Sequence, residues 1–326
     1  MRPTALLGGL AMGAALALAA PASLLAEDFP TRPVTWVVPY SPGGITDTGA
    51  RVIAEEMGKA LGQPVVVENR PGSGGVVGTE FVARADADGY TLIYGTQGTM
   101  AAAVSLREEL RYDPLADFHP LHFIGASHNI VVIPSDRPYK TVQELVDYAK
   151  AHPGELNFGS AGVGTSSHLS MELFREVAGL EGAHVPYKGS APALNDLLAG
   201  RIDVLFDYAV SSSPHAEAGG LIAIATNGGE RNVLFPDTPT MAEAGFPDAT
   251  SGSWSMILAP AATPPERIEI LTRAAHAAMT SQAVVDYYAR YGSELRELEG
   301  EEAKAFIAEE IDIWAKVIEA AGVPKQ

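Results

Sequence analysis

Four stretches of the chain place glycines, hydroxyls and amides where a helix is about to start, an arrangement that binds anions. The first is Pro39-Tyr40-Ser41-Pro42-Gly43-Gly44-Ile45-Thr46-Asp47, after the apolar run 34–40. Glycines let the backbone approach a ligand closely. A helix opening at Asp47 presents free N–H groups and the positive end of its dipole. The plain alternative is a tight turn with Asp47 as N-cap, and Asp47 can be both cap and organiser of a ligand loop. The second stretch, Ser160-Ala161-Gly162-Val163-Gly164-Thr165-Ser166-Ser167-His168, repeats this logic. His168 falls in the first helical turn, where the dipole favours a neutral imidazole; a purely local hydrogen bond is the alternative. The third is Val185-Pro186-Tyr187-Lys188-Gly189-Ser190. Lys188 could attract an anion or simply stand in solvent, and Ser190 is expected as an N-cap. The fourth, Tyr94-Gly95-Thr96-Gln97-Gly98-Thr99, brings hydroxyls and an amide to a strand end. Asp207 follows Val204-Leu205-Phe206, and a strand-end acid either binds ligand or caps nearby backbone.

Enzyme motifs fail on inspection. Gly162-x-Gly164 runs on to Ser167, so the dinucleotide G-x-G-x-x-G is incomplete. There is no G-x-x-x-x-G-K-[ST] and no G-x-S-x-G elbow. The eight histidines form no H-E-x-x-H, and Pro120 argues against a helix that would join His119 to His122 on a metal. No cofactor and no metal are expected. Ser160, His168 and Asp207 could be assembled into a hydrolytic trio, but without an elbow the hydrolase reading is weak.

The elements that must position these loops alternate. Strands are expected at 34–40, 65–67, 90–94, 156–158, 184–187, 204–206, 221–226 and 254–259. Helices are expected at 47–61, 141–151, from 167 with Leu169, Leu173 and Val177 inside, at 191–199, from 265 and at 301–321. Thr141-x-x-Glu144 and Thr263-x-x-Glu266 read as capping boxes. This is an α/β pattern with parallel or mixed sheets. A chain of 326 residues suits two domains. The chain is expected to cross between lobes near 126–129 and to return near 251–254.

Lys plus Arg number 22 and Asp plus Glu 40, a formal net charge of −18. That acidity argues against nucleic-acid binding, which needs basic surface. The absence of cysteine excludes disulfides, thiolate metal sites and cysteine nucleophiles. Arg2 followed by the small apolar run 5–20 has the form of a secretory leader and falls short of the roughly 20 residues that span a bilayer. Cleavage is expected after Ala26, or after Ala22. The mature chain is expected to be soluble and periplasmic.

Six strings in order carry a family resemblance. They are Pro39-Tyr40-Ser41-Pro42-Gly43-Gly44 with Asp47, Val66-Val67-Glu68-Asn69-Arg70-Pro71-Gly72-Ser73-Gly74-Gly75, Asp88-Gly89-Tyr90-Thr91-Leu92, the loop 160–168, Val185-Pro186-Tyr187-Lys188-Gly189-Ser190-Ala191-Pro192-Ala193, and Pro239-Thr240-Met241-Ala242-Glu243-Ala244-Gly245. From about 29 to 323 the chain resembles the tripartite tricarboxylate transporter solute receptors, also called the Bug family. The resemblance implies an α/β periplasmic binding protein of type II, two lobes closing on a small organic carboxylate without an arginine clamp. It implies lobe 1 from 27–126 plus 251–326 and lobe 2 from 127–250. It implies delivery to a permease of one large and one small membrane subunit, with the receptor monomeric. Carried over, Tyr40, Ser41, Gly43, Gly44 and Asp47 line one wall of the cleft; Thr46, Thr96 and Gln97 are also expected to bind ligand. Ser160, Ala161, Gly164, Thr165, His168 and Asp207 line the other. Relatives vary at Tyr40-Ser41 and Ile45-Thr46, which would tune ligand choice. A sensor that engages a histidine kinase with the same lobes is the alternative.

Overall fold

Two five-stranded sheets, each flanked by helices, carry the described part of the chain. The computed structural model describes residues 29–290, 295–320 and 322–326; the expected leader, 1–26, lies outside them. The first sheet has the order β2-β1-β3-β10-β4 and the second β7-β6-β8-β5-β9. Their strands are β1 (Val34–Val38), β2 (Val65–Asn69), β3 (Thr91–Thr96), β4 (Phe118–Ser127), β5 (Asn129–Pro134), β6 (Asn157–Ser160), β7 (Ala183–Pro186), β8 (Val204–Tyr208), β9 (Leu221–Thr226) and β10 (Ser253–Pro260). The helices are α1 (Ile45–Leu61), α2 (Val76–Ala83), α3 (Ala103–Leu106), α4 (Val142–Ala151), α5 (Ser166–Ala178), α6 (Ser190–Leu198), α7 (Ala209–Glu217), α8 (Pro265–Met279), α9 (Gln282–Ala289) and α10 (Gly300–Ala320).

The two sheets share one plan. Parallel strands β2, β1 and β3 are joined through α1 and α2, and parallel strands β7, β6 and β8 through α5 and α6. One antiparallel strand then enters each sheet beside the edge: β10 between β3 and β4, and β5 between β8 and β9. The chain leaves the first sheet after Ser127 and begins the second at Asn129. It re-enters the first sheet at Ser253, which pairs with Ser127. The two crossings therefore lie side by side, and His128 Nδ1 reaches the Ser251 carbonyl at 3.1 Å.

Alternation along the strands divides each core between the two faces of its sheet. On β1, Val34, Trp36 and Val38 join one cluster with Ile53, Met57 and Leu271, while Val37 joins the other with Met100, Phe123 and Trp314. On β5, Val131 and Ile133 pack with Phe158, Phe174 and Phe206, and Ile130 and Val132 with Leu194 and Leu205. Leu169 of α5 is buried in the first sheet's cluster, so one helix of the second half packs into the first.

Local signals are realised with corrections. Thr141 caps α4, accepting from the Glu144 N–H at 3.2 Å, but the Glu144 carboxylate reaches one residue further back, to the Lys140 N–H at 2.6 Å. Thr263 makes no such cap: Pro264 is the N-cap of α8, and the Thr263 hydroxyl is buried without a partner. The α5 face that packs inward is Met171, Phe174 and Ala178, with Leu173 half-buried and Val177 38% exposed. Steps of four residues drift by about 40° each, so 169, 173 and 177 do not stay on one side. Helices α2, α3, α7 and α9 carried no sequence signal strong enough to be read. Phe174→Ala, which empties a site against Phe206 and Phe246, is expected to cost about 3–5 kcal/mol in urea unfolding; a loss under about 1 kcal/mol would contradict this packing.

Candidate functional site

All four glycine- and hydroxyl-bearing loops converge on one cavity between the sheets. It encloses about 450 Å³, its mouth included, and is lined by Tyr40, Ser41, Gly44, Ile45, Thr46, Thr96, Gln97, Gly98, Ala161, Thr165, Ser166, Ser167, Gly189, Ser190, Tyr208 and Ser253. Three helices, α1, α5 and α6, begin in this wall. Their first N–H groups have no carbonyl one turn back to bond to. Among the described residues no charged side chain lines the cavity.

The lips of the cavity touch directly. The Ser41 N–H and hydroxyl both donate to the Lys188 carbonyl, at 2.9 and 2.7 Å. It is the backbone of Lys188 that meets the first loop, and its ammonium lies outside the lining. Gly74 packs against the backbone of Val163, and any Cβ there would collide with the Val163 carbonyl oxygen. Gly98 lies so close to the Gly164 carbonyl that a Cβ would stand 2.7 Å from it. Inside, Tyr40 and Thr96 hydroxyls meet at 2.9 Å, and Tyr208 bridges Ser166 and Ser253 at 2.8 and 2.9 Å. Gln97 is fully buried, and neither its amide nitrogen nor its amide oxygen has a protein partner.

Of the residues expected to line the cleft, Tyr40, Ser41, Gly44, Thr46, Thr96, Gln97, Ala161 and Thr165 do so. Asp47, Ser160, Gly164, His168 and Asp207 lie behind the wall, and Gly43 is exposed outside it. Asp47 is not the N-cap of α1; Gly44 is, and Asp47 is the third helical residue. From there its carboxylate accepts from the Gly43 N–H at 2.9 Å, from Asn69 at 3.0 Å and from Arg51 at 2.7 Å. Burial alone would raise its pKa, but these bonds from Arg51, Gly43 and Asn69 outweigh burial and hold the carboxyl below its usual range. Asn69 also donates to the Tyr40 carbonyl at 3.1 Å, so one amide ties the loop to the carboxylate. Ser190 is the first residue of α6, with Gly189 as cap. Tyr208 and Ser253 were not foreseen.

His168 Nδ1 accepts from the Gly164 N–H at 3.1 Å, and its ring stacks on His184 at 4.2 Å. Burial, and next the neighbouring His184, lower the His168 pKa to about 3; burial lowers that of His184 to about 4. Ser160 is paired with His184, at 2.6 Å, rather than with His168, and Asp207 accepts from Ser212 at 2.7 Å. Burial raises the Asp207 pKa against the hydrogen bonds of Ser212 and Ser190. The hydrolytic trio therefore does not assemble: each member holds backbone or a neighbour.

Residues 49–323 match the family described as "Tripartite tricarboxylate transporter family receptor". The chain belongs to this family. The receptor is similar to three solved structures. The periplasmic binding protein BugD is 34% identical, with 91% of this chain and 100% of that one covered and a TM-score of 0.88. A protein of R. palustris solved with adipate is 36% identical over 92% and 100%, with a TM-score of 0.86. MatC from Rhodopseudomonas palustris, with bound malate, is 35% identical over 89% and 100%, with a TM-score of 0.85. The family is one of solute-binding receptors, and the fold is that of the two-lobed periplasmic binding proteins. Among the described residues no helix is long and apolar enough to cross a membrane.

The stacked histidines of the receptor set a pH dependence. Unfolded histidines take up protons near pH 6.5, whereas His184 and His168 resist to about 4 and about 3. Stability is therefore full above about pH 6.5 and falls as acid is added toward those values. Urea midpoints measured from pH 7 down to pH 4 are expected to decline, and less steeply in His184→Gln; an unchanged slope would contradict the assignment.

Proposed function

We propose that this receptor captures a small organic carboxylate by closing two lobes, 27–126 with 251–326 and 127–250, over it. It then delivers the ligand to the large and small membrane subunits of a tripartite tricarboxylate permease. In this reading the chain is exported to the periplasm, loses residues 1–26, and works as a monomer without catalysis. The observation that carries the reading is the cavity wall: three helix starts and the unpartnered Gln97 amide, with no charged side chain. A carboxylate only accepts hydrogen bonds, and this wall offers donors on both sides of the cleft. Adipate and malate, found in two relatives, are both dicarboxylates. A short dicarboxylate can give one end to the loops of the first sheet and the other to those of the second. That couples binding to closure. Asp47, Ser160, Gly164, His168 and Asp207 act from behind, fixing the loops that touch the ligand.

Refolded, ligand-free protein screened against mono-, di- and tricarboxylates is expected to give a selective rise in melting temperature. At a hundredfold excess over Kd the gain is about 2.7 kcal/mol. Gln97→Ala is expected to weaken the best ligand by about 1–3 kcal/mol, the value of a buried polar group left unpaired. A blank across the whole library would refute the carboxylate reading. Asp47→Ala frees the Gly43 loop and is expected to lower affinity while the protein stays folded; intact calorimetric affinity would sink that role. Gly74→Ala is expected to weaken binding by holding the lips apart, with a modest fall in the melting temperature of the ligand-free protein because an alanine is strained at the Gly74 φ of 66°. Full affinity in Gly74→Ala would show that closure is not required.

A further inference from the structure

Away from the cleft, three side chains from three separate elements converge on one point of the first half. They are His122 on β4, His276 on α8 and Glu299, just before α10. Their ligand atoms all lie within 4.8 Å of one another. His122 Nε2 is 3.4 Å from a Glu299 oxygen, and His276 Nδ1 is 3.1 Å from the same oxygen. Two ligands on one tetrahedral zinc, at bonds of about 2.0–2.1 Å, stand about 3.3 Å apart. His276 Nδ1 and Glu299 stand at hydrogen-bond distance, and both separations also suit atoms that share a cation.

The tautomer of His122 points the same way. Its side chain is 2% exposed, and Nδ1 lies 2.6 Å from the Phe123 carbonyl. A carbonyl only accepts, so Nδ1 carries the proton and Nε2 of the neutral ring is a bare lone pair. That lone pair is buried, makes no hydrogen bond, and faces a carboxylate oxygen, which is also an acceptor. A lone pair aimed at a carboxylate is unfavourable unless a cation sits between them. A histidine whose Nδ1–H is fixed by a backbone carbonyl is also how metal-binding imidazoles are commonly oriented. His276 and Glu299 are partly exposed, at 46% and 36%, which leaves an entry path and room for a water ligand.

The second cluster of this type, His168, Glu172 and His184, lacks these features. There His168 Nδ1 already accepts from Gly164, and His184 Nε2 is held by Ser160. The sequence pair His119-x-x-His122 is not the site either; His119 takes no part in the cluster.

We infer that His122, His276 and Glu299 form a binding site for a divalent transition cation, zinc foremost. Two imidazole nitrogens and one carboxylate oxygen suit zinc and exclude hard cations such as magnesium, which require oxygen ligands. The bound ion would staple α8 and the start of α10 to β4. It shares no residue with the cleft, so it stands or falls apart from the carboxylate reading.

The test is zinc binding by tag-free, EDTA-stripped protein, followed by calorimetry and thermal shift, with magnesium as the comparison. One zinc per chain is expected, with a rise in melting temperature that magnesium does not produce. His276→Ala alters a half-exposed helix position and Glu299→Gln keeps the shape of the side chain, so neither threatens the core. Each is expected to weaken zinc at least about tenfold, whereas His184→Gln, in the other cluster, leaves it unchanged. No stoichiometric zinc in the wild type overturns the proposal. So does affinity that survives both His276→Ala and Glu299→Gln.

Discussion

The first N–H groups of a helix need an acceptor that the helix itself cannot supply. In this receptor three helices begin in one wall, and neither α1 nor α6 has a side-chain cap. Each helix start carries about half a positive charge. These helix starts favour an anion in the cavity, and among the described residues no lysine or arginine lines it, although the chain as a whole carries −18. Surface carboxylates more than about 10 Å away are screened at about 0.1 M salt. In the proposed reading the local dipoles decide what binds.

The ionisable side chains near the cavity do a different job. Asp47, His168 and Asp207 all stand behind the wall and bond backbone or neighbouring side chains. Asp47 is the clearest case, since its bonds to Gly43, Asn69 and Arg51 set the path of the loop before α1. In the proposed reading, an uncharged wall backed by anchored polar side chains keeps the donors in place without setting a like charge against the ligand. In the proposed reading the glycines serve closure in the same way. Gly74 and Gly98 let backbone meet backbone across the lips, where a single Cβ would stop it.

Much of this was legible in the sequence, because strand–glycine–helix patterns are local. All four loops were read from residue types alone, and the six strings named the family. Three things were not legible. Ser253 reaches the cavity because β10 inserts antiparallel beside the edge of the first sheet, and Tyr208 because β8 runs two residues past Phe206; no local pattern reports either. Asp47 looks the same in sequence whether it caps the helix or reaches back from the third position, and the cap proved to be the silent Gly44. The roles of Ser160 and His168 depended on His184, which a run of 24 residues separates from Ser160 and a shared neighbourhood joins.

The central claim is that an anion draws the two lobes together, and the chain's lack of cysteine makes this directly measurable. Val77 and Lys188 are exposed positions on opposite lips of the cleft. Spin labels on Val77→Cys and Lys188→Cys would report the gap by pulsed electron resonance, with malate, adipate and citrate added in turn. The account predicts a broad or long distance distribution without ligand that narrows to one short distance with at least one of these acids. A distribution that none of them moves would contradict it.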